Sequence, residues 1–416
     1  MSATAELAGT SLAWTLLLLA GAAALGLAIL LGGLVWVFAR APQLAALAGA
    51  GQGAGPAPDG TLTVVVPAYN EAANIGPCLS GLLASESPCS HWQVLLVDDD
   101  SSDDTVAIGR RAAVAAQAEA GAASGRFAVL AAGPRPAGER WVGKNWACSR
   151  AMEAVDSDWV LFVDADVRLQ PTALRRALDQ AVAERADLFS LAPRLSCSCL
   201  AEWMVQPIML SLLGLGFPIK ASNDPASTTA FAAGPFMLFR RSAYEAIGGH
   251  RALAGEVVED VALARRIKAA GLRLRFLLGL DAAELHMYPD LAALWEGWSK
   301  NWLLGHAGNV PTALGAAAVV VLLFSGPWLL APAAAIAGVL LPAQRSLLLT
   351  AFALAGLGIG LQLLLRLWMR GRFELPLRHW WLMGAGGLVV GGIGPTSVWR
   401  TLTGRGWTWK GRPLAG

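Results

Sequence analysis

The residues best suited to chemistry in this chain are carboxylates placed where apolar runs end. "LFVDADVRL" (161–169) sets Asp164 and Asp166 one residue apart, directly after a hydrophobic stretch. Residues i and i+2 of an extended segment face the same side, so the pair can grip one cation. Hard oxygen ligands suit Mg²⁺ or Mn²⁺, which are usually held jointly with substrate phosphates. A cation there would neutralise a departing diphosphate. The alternative is the polar end of a strand, because an unpaired charge has no place inside one. Two more acidic groups hold equivalent positions: Asn70-Glu71 after "LTVVVPAYN" (62–70), and Asp98-Asp99-Asp100 closing "WQVLLVDDD" (92–100). A further pair, Glu259-Asp260 in "EVVEDVALARRIKAAG" (256–271), begins a helix with Leu263 and Ile267 on its apolar face. Carboxylates at a helix N-terminus favour the macrodipole, so this pair is either a helix cap or the place to look for a general base.

The elements that must position these groups alternate in type. Apolar strands are expected at 62–70, 92–100, 126–132, 159–166 and 187–193, with helix-type segments between them such as 103–120, where Asp103 or Asp104 caps the start. Near-continuous apolar strands separated by helices imply an α/β fold with a parallel sheet covered on both faces. Ligands of such sheets bind beyond the carboxyl ends of the strands, which is where the three acidic clusters fall.

Composition places part of the chain in lipid. Of 416 residues, 55% are hydrophobic and only 15% charged, against about a quarter charged in soluble domains. The net charge of +2 carries no nucleic-acid signature. Residues 12–38 are charge-free and longer than the ~20 residues needed to span a bilayer. Arg40 follows this run, so the positive-inside rule puts the next domain in the cytoplasm of an inner-membrane protein. The five cysteines form no CxxC pair and read as free thiols in a reducing compartment. Residues 200–218 fit a core helix or a segment in the membrane surface. Past 310, 313–341 reads as one tilted span or two short ones, 346–365 as a span, and the glycine-rich 380–394 as a span or a re-entrant segment. Basic clusters at 366–378 and 400–412 both favour the cytoplasm, which leaves the number of C-terminal spans open.

"VVVPAYNEAANI", "VLLVDDDSSDDT", "GKNWACSRAM", "LFVDADVRL" and "GEVVEDVALARRIKAAG" occur in one order and spacing. In this the chain resembles family 2 glycosyltransferases of the GT-A fold, over roughly residues 61–305. "GPFMLFRRSAYEAIGGH", "WEGWSKNW" and the flanking apolar segments make it most similar to the hopene-associated and carotenoid glycosyltransferase branch, with ceramide glucosyltransferases more distant. The resemblance implies a mostly parallel Rossmann-like domain over 61–305 and a membrane anchor over 1–40. Composition and charge give a linker over 41–60, a membrane region over 306–398 and a basic tail over 399–416.

The resemblance also implies roles. Pro67, Tyr69 and Glu71, with Asp98 or Asp99, would contact the base and ribose of a nucleotide-sugar donor, UDP-linked in first expectation. Lys144 would help hold the diphosphate, Asp164 would face the donor, and Asp166 would bind Mg²⁺ or Mn²⁺. Asp260 would be the general base for direct displacement with inversion. His286 in "ELHMYPD" would complete the metal or phosphate shell, as a late histidine does in some GT-A enzymes, or be a satisfied surface residue. "WEGWSKNW" departs from the Gln-x-x-Arg-Trp pattern of processive synthases, which argues against chain elongation. Trp298 and Trp302 share one helix face and either floor an acceptor pocket or mark a membrane interface. The expected acceptor is a membrane lipid: hopanoid- or carotenoid-like, or ceramide or diacylglycerol. The rival readings are a polysaccharide synthase and a polyprenyl-phosphate glycosyltransferase.

Overall fold

In a computed structural model, which describes residues 3–46, 59–120, 126–410 and 412–413, the apolar runs become strands. Strands β1 (Thr61–Ala68), β2 (His91–Asp98), β3 (Arg126–Ala131) and β4 (Trp159–Val163) are mutually parallel. Strands β5 (Val167–Leu169), β6 (Leu188–Ala192), β7 (Arg194–Leu195), β8 (Phe236–Arg240), β9 (Leu274–Leu278) and β10 (Ala283–Leu285) follow. The main sheet has seven strands in the order β3-β2-β1-β4-β8-β6-β9, and β5-β10-β7 form a small second sheet. The main sheet is not wholly parallel: β8 runs antiparallel to both β4 and β6. A hairpin of β11 (Thr408–Trp409) and β12 (Arg412–Pro413) belongs to the same compact unit, which comprises residues 40–196, 217–287 and 408–416. The linker expected over 41–60 lies outside the described residues from 47 to 58.

Both faces of the sheet are covered, which is why its strands read as unbroken apolar runs. Leu62, Val64, Val66 and Ala68 of β1 pack in one buried cluster with Ile75, Leu79 and Leu174. Val65 enters the opposite cluster with Phe162, Trp146 and Leu263. Each fully buried Val, Leu or Phe contributes roughly 1.5–3 kcal/mol, and the two layers fix the register. Ala68 pairs with Asp98, and Val65 with Phe162. This brings the carboxyl ends of β1, β2 and β4, and their acidic clusters, to one edge. Pro67 lies past the last β1–β4 pair, Val65–Phe162, where a central strand tolerates a missing N–H.

The other unit comprises residues 1–39, 197–216 and 288–407. Among the described residues four helical runs are long and apolar enough to cross a membrane: Glu6–Phe38, Val310–Leu340, Pro342–Phe373 and Trp380–Leu402. Val310–Leu340 is one run with a π-helical turn at Val321–Ser325, so 313–341 is not two separate helices. Helix Leu200–Gly216 packs against Met383–Leu402 in this unit. The glycines of Met383–Leu402 explain its composition: a Cβ at Gly386 would collide with the carbonyl of Met204, and one at Gly387 with Ser325. Close backbone approach is the usual way apolar helices associate without a hydrophobic driving force.

Candidate active site

The edge formed by β1, β2 and β4 is built from tight turns. Asn70 and Asp100 both take positive φ, 52° and 65°, conformations that Asn and Asp adopt more readily than other side-chain-bearing residues. Asn70 accepts from the Ser102 backbone N–H at 2.9 Å, and its own N–H donates to Ser101 Oγ at 3.0 Å. The Glu71 N–H donates to Thr105 Oγ1 at 2.7 Å. These bonds lock the β1 and β2 turns together.

Two neighbouring acids at the end of β2, Asp98 and Asp99, then have different jobs. Asp98 accepts from the Ser101 N–H at 3.3 Å and closes its own turn. Asp99 is buried, 6% exposed, and takes a bond from Arg135 Nη2 at 2.7 Å and from Arg412 Nη1 at 2.6 Å. Burial pushes its carboxyl up, and the two guanidiniums oppose that rise. The Arg412 guanidinium also lies 3.8 Å over the Tyr69 ring, and Lys410 Nζ sits 2.5 Å from Glu71 Oε1. Pro67 is buried within its strand. Arg135, Lys410 and Arg412 did not emerge as site residues from the sequence.

Lys144, preceding the helix Asn145–Met152, links the remaining acids. It is ion-paired with Asp164 and lies 3.1 Å from Glu259 Oε1. Burial alone would lower its pKa, but the two carboxylates hold it well above the ordinary lysine value. The helix is tethered in turn: Asn145 Nδ2 donates to the carbonyls of Leu253 (2.8 Å) and Glu256 (2.9 Å), just ahead of the Glu259-Asp260 pair. Glu259 is thus the partner of Lys144, a role its place beside Asp260 gave no means of separating.

Asp260 starts the helix Glu259–Ala269. Its Oδ1 accepts from the Val261 N–H at 2.7 Å and its Oδ2 from the Gly234 N–H at 3.0 Å. A Cβ at Gly234 would stand 3.0 Å from Oδ2, so a side chain there would press on this carboxylate. The next residue, Pro235, accepts from the Asp164 N–H at 3.3 Å. Burial, with Glu259 next to it, pushes the Asp260 carboxyl up to about 7, near the value suited to a base at neutral pH.

Asp166 has a buried Oδ1 without a hydrogen-bond partner, and burial together with Asp164 and Glu71 raises its carboxyl well above the usual range. An orphaned carboxylate oxygen among like charges fits a cation ligand. Among the described residues there is no group of three or more His, Cys, Asp or Glu able to hold a metal alone. His286 is a backbone neighbour of this acid: its N–H donates to the Asp166 carbonyl at 3.0 Å. Its Nε2 lies 3.6 Å from Glu284 Oε1. The edge therefore brings Tyr69, Glu71 and Asp99 into one cluster, and Lys144, Asp164 and Glu259 into another.

The model of glycosyl transferase family 2 matches residues 63–248. The 4,4'-diaponeurosporenoate glycosyltransferase of Staphylococcus aureus strain MRSA252 is 26% identical over 266 residues, covering 63% of this chain and 66% of that protein. Its counterpart in strain USA300 is 25% identical over the same shares. The aligned region thus spans just under two thirds of the length of these relatives. Among solved structures, the mannosyltransferase PcManGT from Pyrobaculum calidifontis in complex with GDP-Man and Mn²⁺ aligns with 89% of this chain and 97% of its own, at 18% identity and a TM-score of 0.44. Glucosyl-3-phosphoglycerate synthase from Mycobacterium tuberculosis, in complex with Mn²⁺, UDP and phosphoglyceric acid, covers 57% of this chain and 74% of its own, at 20% identity and a TM-score of 0.36. Residues 63–248 thus carry a family 2 glycosyltransferase domain, and over 63% of its length the chain is similar to carotenoid glycosyltransferases.

Proposed function

We propose that this protein is a membrane-bound, inverting glycosyltransferase that moves one sugar from a nucleotide sugar, UDP-linked in first expectation, to a hydroxyl of an apolar membrane lipid. Asp260 carries the reading. Its carboxylate is fixed by two backbone N–H groups and its pKa is near 7, so it can take the acceptor hydroxyl's proton as that oxygen bonds to the anomeric carbon. The bond from the anomeric carbon to the diphosphate breaks on the opposite face. Lys144, held by Asp164 and Glu259, is a cation on this edge able to steady the diphosphate. Tyr69, Glu71 and Asp99 receive the nucleoside. A Mg²⁺ or Mn²⁺ ion bound by Asp166, with His286 as a further ligand, would supply charge stabilisation to the leaving group.

The four long apolar helices give an acceptor that stays in the bilayer a reason to be the substrate. Arg40 after the first of them supports a multi-pass inner-membrane protein with its transferase domain in the cytoplasm. A second reading has a specific motive: the curated relatives are named for a carotenoid carboxylate. A carboxylate, like a polyprenyl phosphate, arrives deprotonated and needs no base, so Asp260 favours the hydroxyl.

The test uses the full chain in lipid nanodiscs, a panel of labelled nucleotide sugars, and hopanoid, carotenoid, ceramide and diacylglycerol acceptors. The expected product is a glycolipid of inverted anomeric configuration that fails to form with Asp260→Asn. Retained configuration, or transfer only to carboxylate or phosphate acceptors, would overturn the proposal.

A further inference from the structure

The hairpin of β11 and β12 comes from the far end of the chain, yet its cations lie on the side chains assigned above to the nucleoside. Arg412 stacks at 3.8 Å on the Tyr69 ring. Its Nη1 donates to Asp99 Oδ2 at 2.6 Å and its Nη2 to the Asp99 carbonyl at 2.9 Å. Lys410 donates to the Asn70 carbonyl at 2.9 Å and pairs with Glu71.

A guanidinium is flat, delocalised and rimmed with N–H donors. A nucleobase offers the same combination: a π-face for an aromatic ring and an N–H for a carboxylate. One residue thus occupies both the stacking surface and the acceptor that a base would use, while the Lys410 ammonium occupies the acceptor a ribose hydroxyl would use. Two bodies cannot share the same ring face and carboxylate lone pairs. Asp99 would not be left bare by departure of the hairpin, because Arg135 remains on it at 2.7 Å.

We propose that the C-terminal hairpin is an autoinhibitory strap in which Arg412 stands in for the nucleobase of the donor, so that nucleotide binding must displace it. The inference rests on the assignment of Tyr69, Glu71 and Asp99 to the nucleoside. Release of the strap also frees two cations beside a diphosphate, which gives the displaced hairpin a reason to remain near the occupied site.

The experiment titrates UDP, GDP, ADP and dTDP, each with Mn²⁺, into the detergent-solubilised full chain by calorimetry, for the wild type, Arg412→Ala, Arg412→Lys and Tyr69→Ala. Hydrogen exchange over 408–413 is followed with and without the nucleotide that binds. Loss of a cation–π contact and a charge-assisted bond predicts about tenfold tighter nucleotide binding by Arg412→Ala. Arg412→Lys, which keeps the charge and loses the fork, should fall between the two. Bound nucleotide should speed exchange in the hairpin. Weaker binding by Arg412→Ala, or slower exchange at 408–413 in the complex, would overturn the strap and make the hairpin a wall of the site. In that case dependence on Tyr69 leaves the nucleoside assignment standing. A nucleotide indifferent to Tyr69→Ala, or no binding by any protein, would overturn the assignment and the strap together.

Discussion

Replacing Asp260 by Asn separates the chemistry of this site from its folding. The carboxylate accepts one backbone N–H on each oxygen. An amide of the same shape can accept only one of them, and the other contact becomes donor against donor, at a cost of about 1–3 kcal/mol. Against this stands the charge itself. Burial lifts the carboxyl from 3.8 to about 7, so ionising it in the folded protein costs roughly 4 kcal/mol, at 1.36 kcal/mol per pH unit. Between pH 4 and 7 the folded state keeps a proton that the unfolded chain has released. Stability is therefore lost as pH rises through that interval and is constant above it. The asparagine variant has no such charge and should melt no lower than the wild type at pH 8.

Activity moves the other way. Loss of a general base lowers turnover by about 10²–10⁴-fold, or about 3–5 kcal/mol of transition-state stabilisation. Wild-type turnover should rise tenfold per pH unit below about 7 and level off above it. Initial rates of labelled sugar transfer in nanodiscs from pH 5.5 to 8.5, with melting curves on the same samples, measure both quantities. A variant keeping more than a tenth of wild-type turnover, or a wild-type profile with no break near neutrality, would refute the assignment.

Lys144→Met removes the cation between Asp164 and Glu259 and leaves two carboxylates facing each other. Nucleotide affinity by calorimetry should fall at least tenfold, and equal affinity would show that Lys144 does not meet the diphosphate. Asp166→Asn should abolish Mn²⁺ binding, read by electron paramagnetic resonance in the presence of UDP, while Asp98→Asn, whose acid closes a turn, should leave it unchanged. Gly386→Leu pushes a side chain into the Met204 carbonyl. It should lower the melting temperature in detergent by an amount equivalent to at least 1–3 kcal/mol, the usual cost of overpacking; an unchanged melting point would mean these helices do not pack so closely.

Much of this site is legible in the sequence because charges interrupt apolar runs. Glu71, Asp164 and Asp166 stand out for that reason, and two-sided burial of β1 and β4 accounts for the runs themselves. The division of labour between Asp98 and Asp99 is not legible: both close the same strand, and a turn with Asp100 at positive φ decides which one meets Arg135. The reversed direction of β8 is equally hidden. "FMLFR" carries the same apolar pattern either way round, and only pairing with β4 and β6 orients it. Arg412 meets Asp99 across 313 positions of sequence. No local periodicity signals such a contact, so the tail reads only as a basic cluster. The glycines of 384–394 read as a weak span, whereas close helix approach is what they serve.

The reversed strand has one more effect. Because β8 enters the site edge where its neighbours leave it, the two residues ahead of it present a donor and an acceptor in succession. Gly234 gives its N–H to Asp260, and Pro235 gives its carbonyl to the Asp164 backbone. Asp164 and Asp260, the proposed donor-facing acid and the proposed base, are thus both gauged from a single dipeptide, stiffened by the proline ring. Any movement of that dipeptide shifts Asp164 and Asp260 at once. On the proposed roles, the separation of the donor-facing acid from the base is set by one peptide unit rather than by two independent loops.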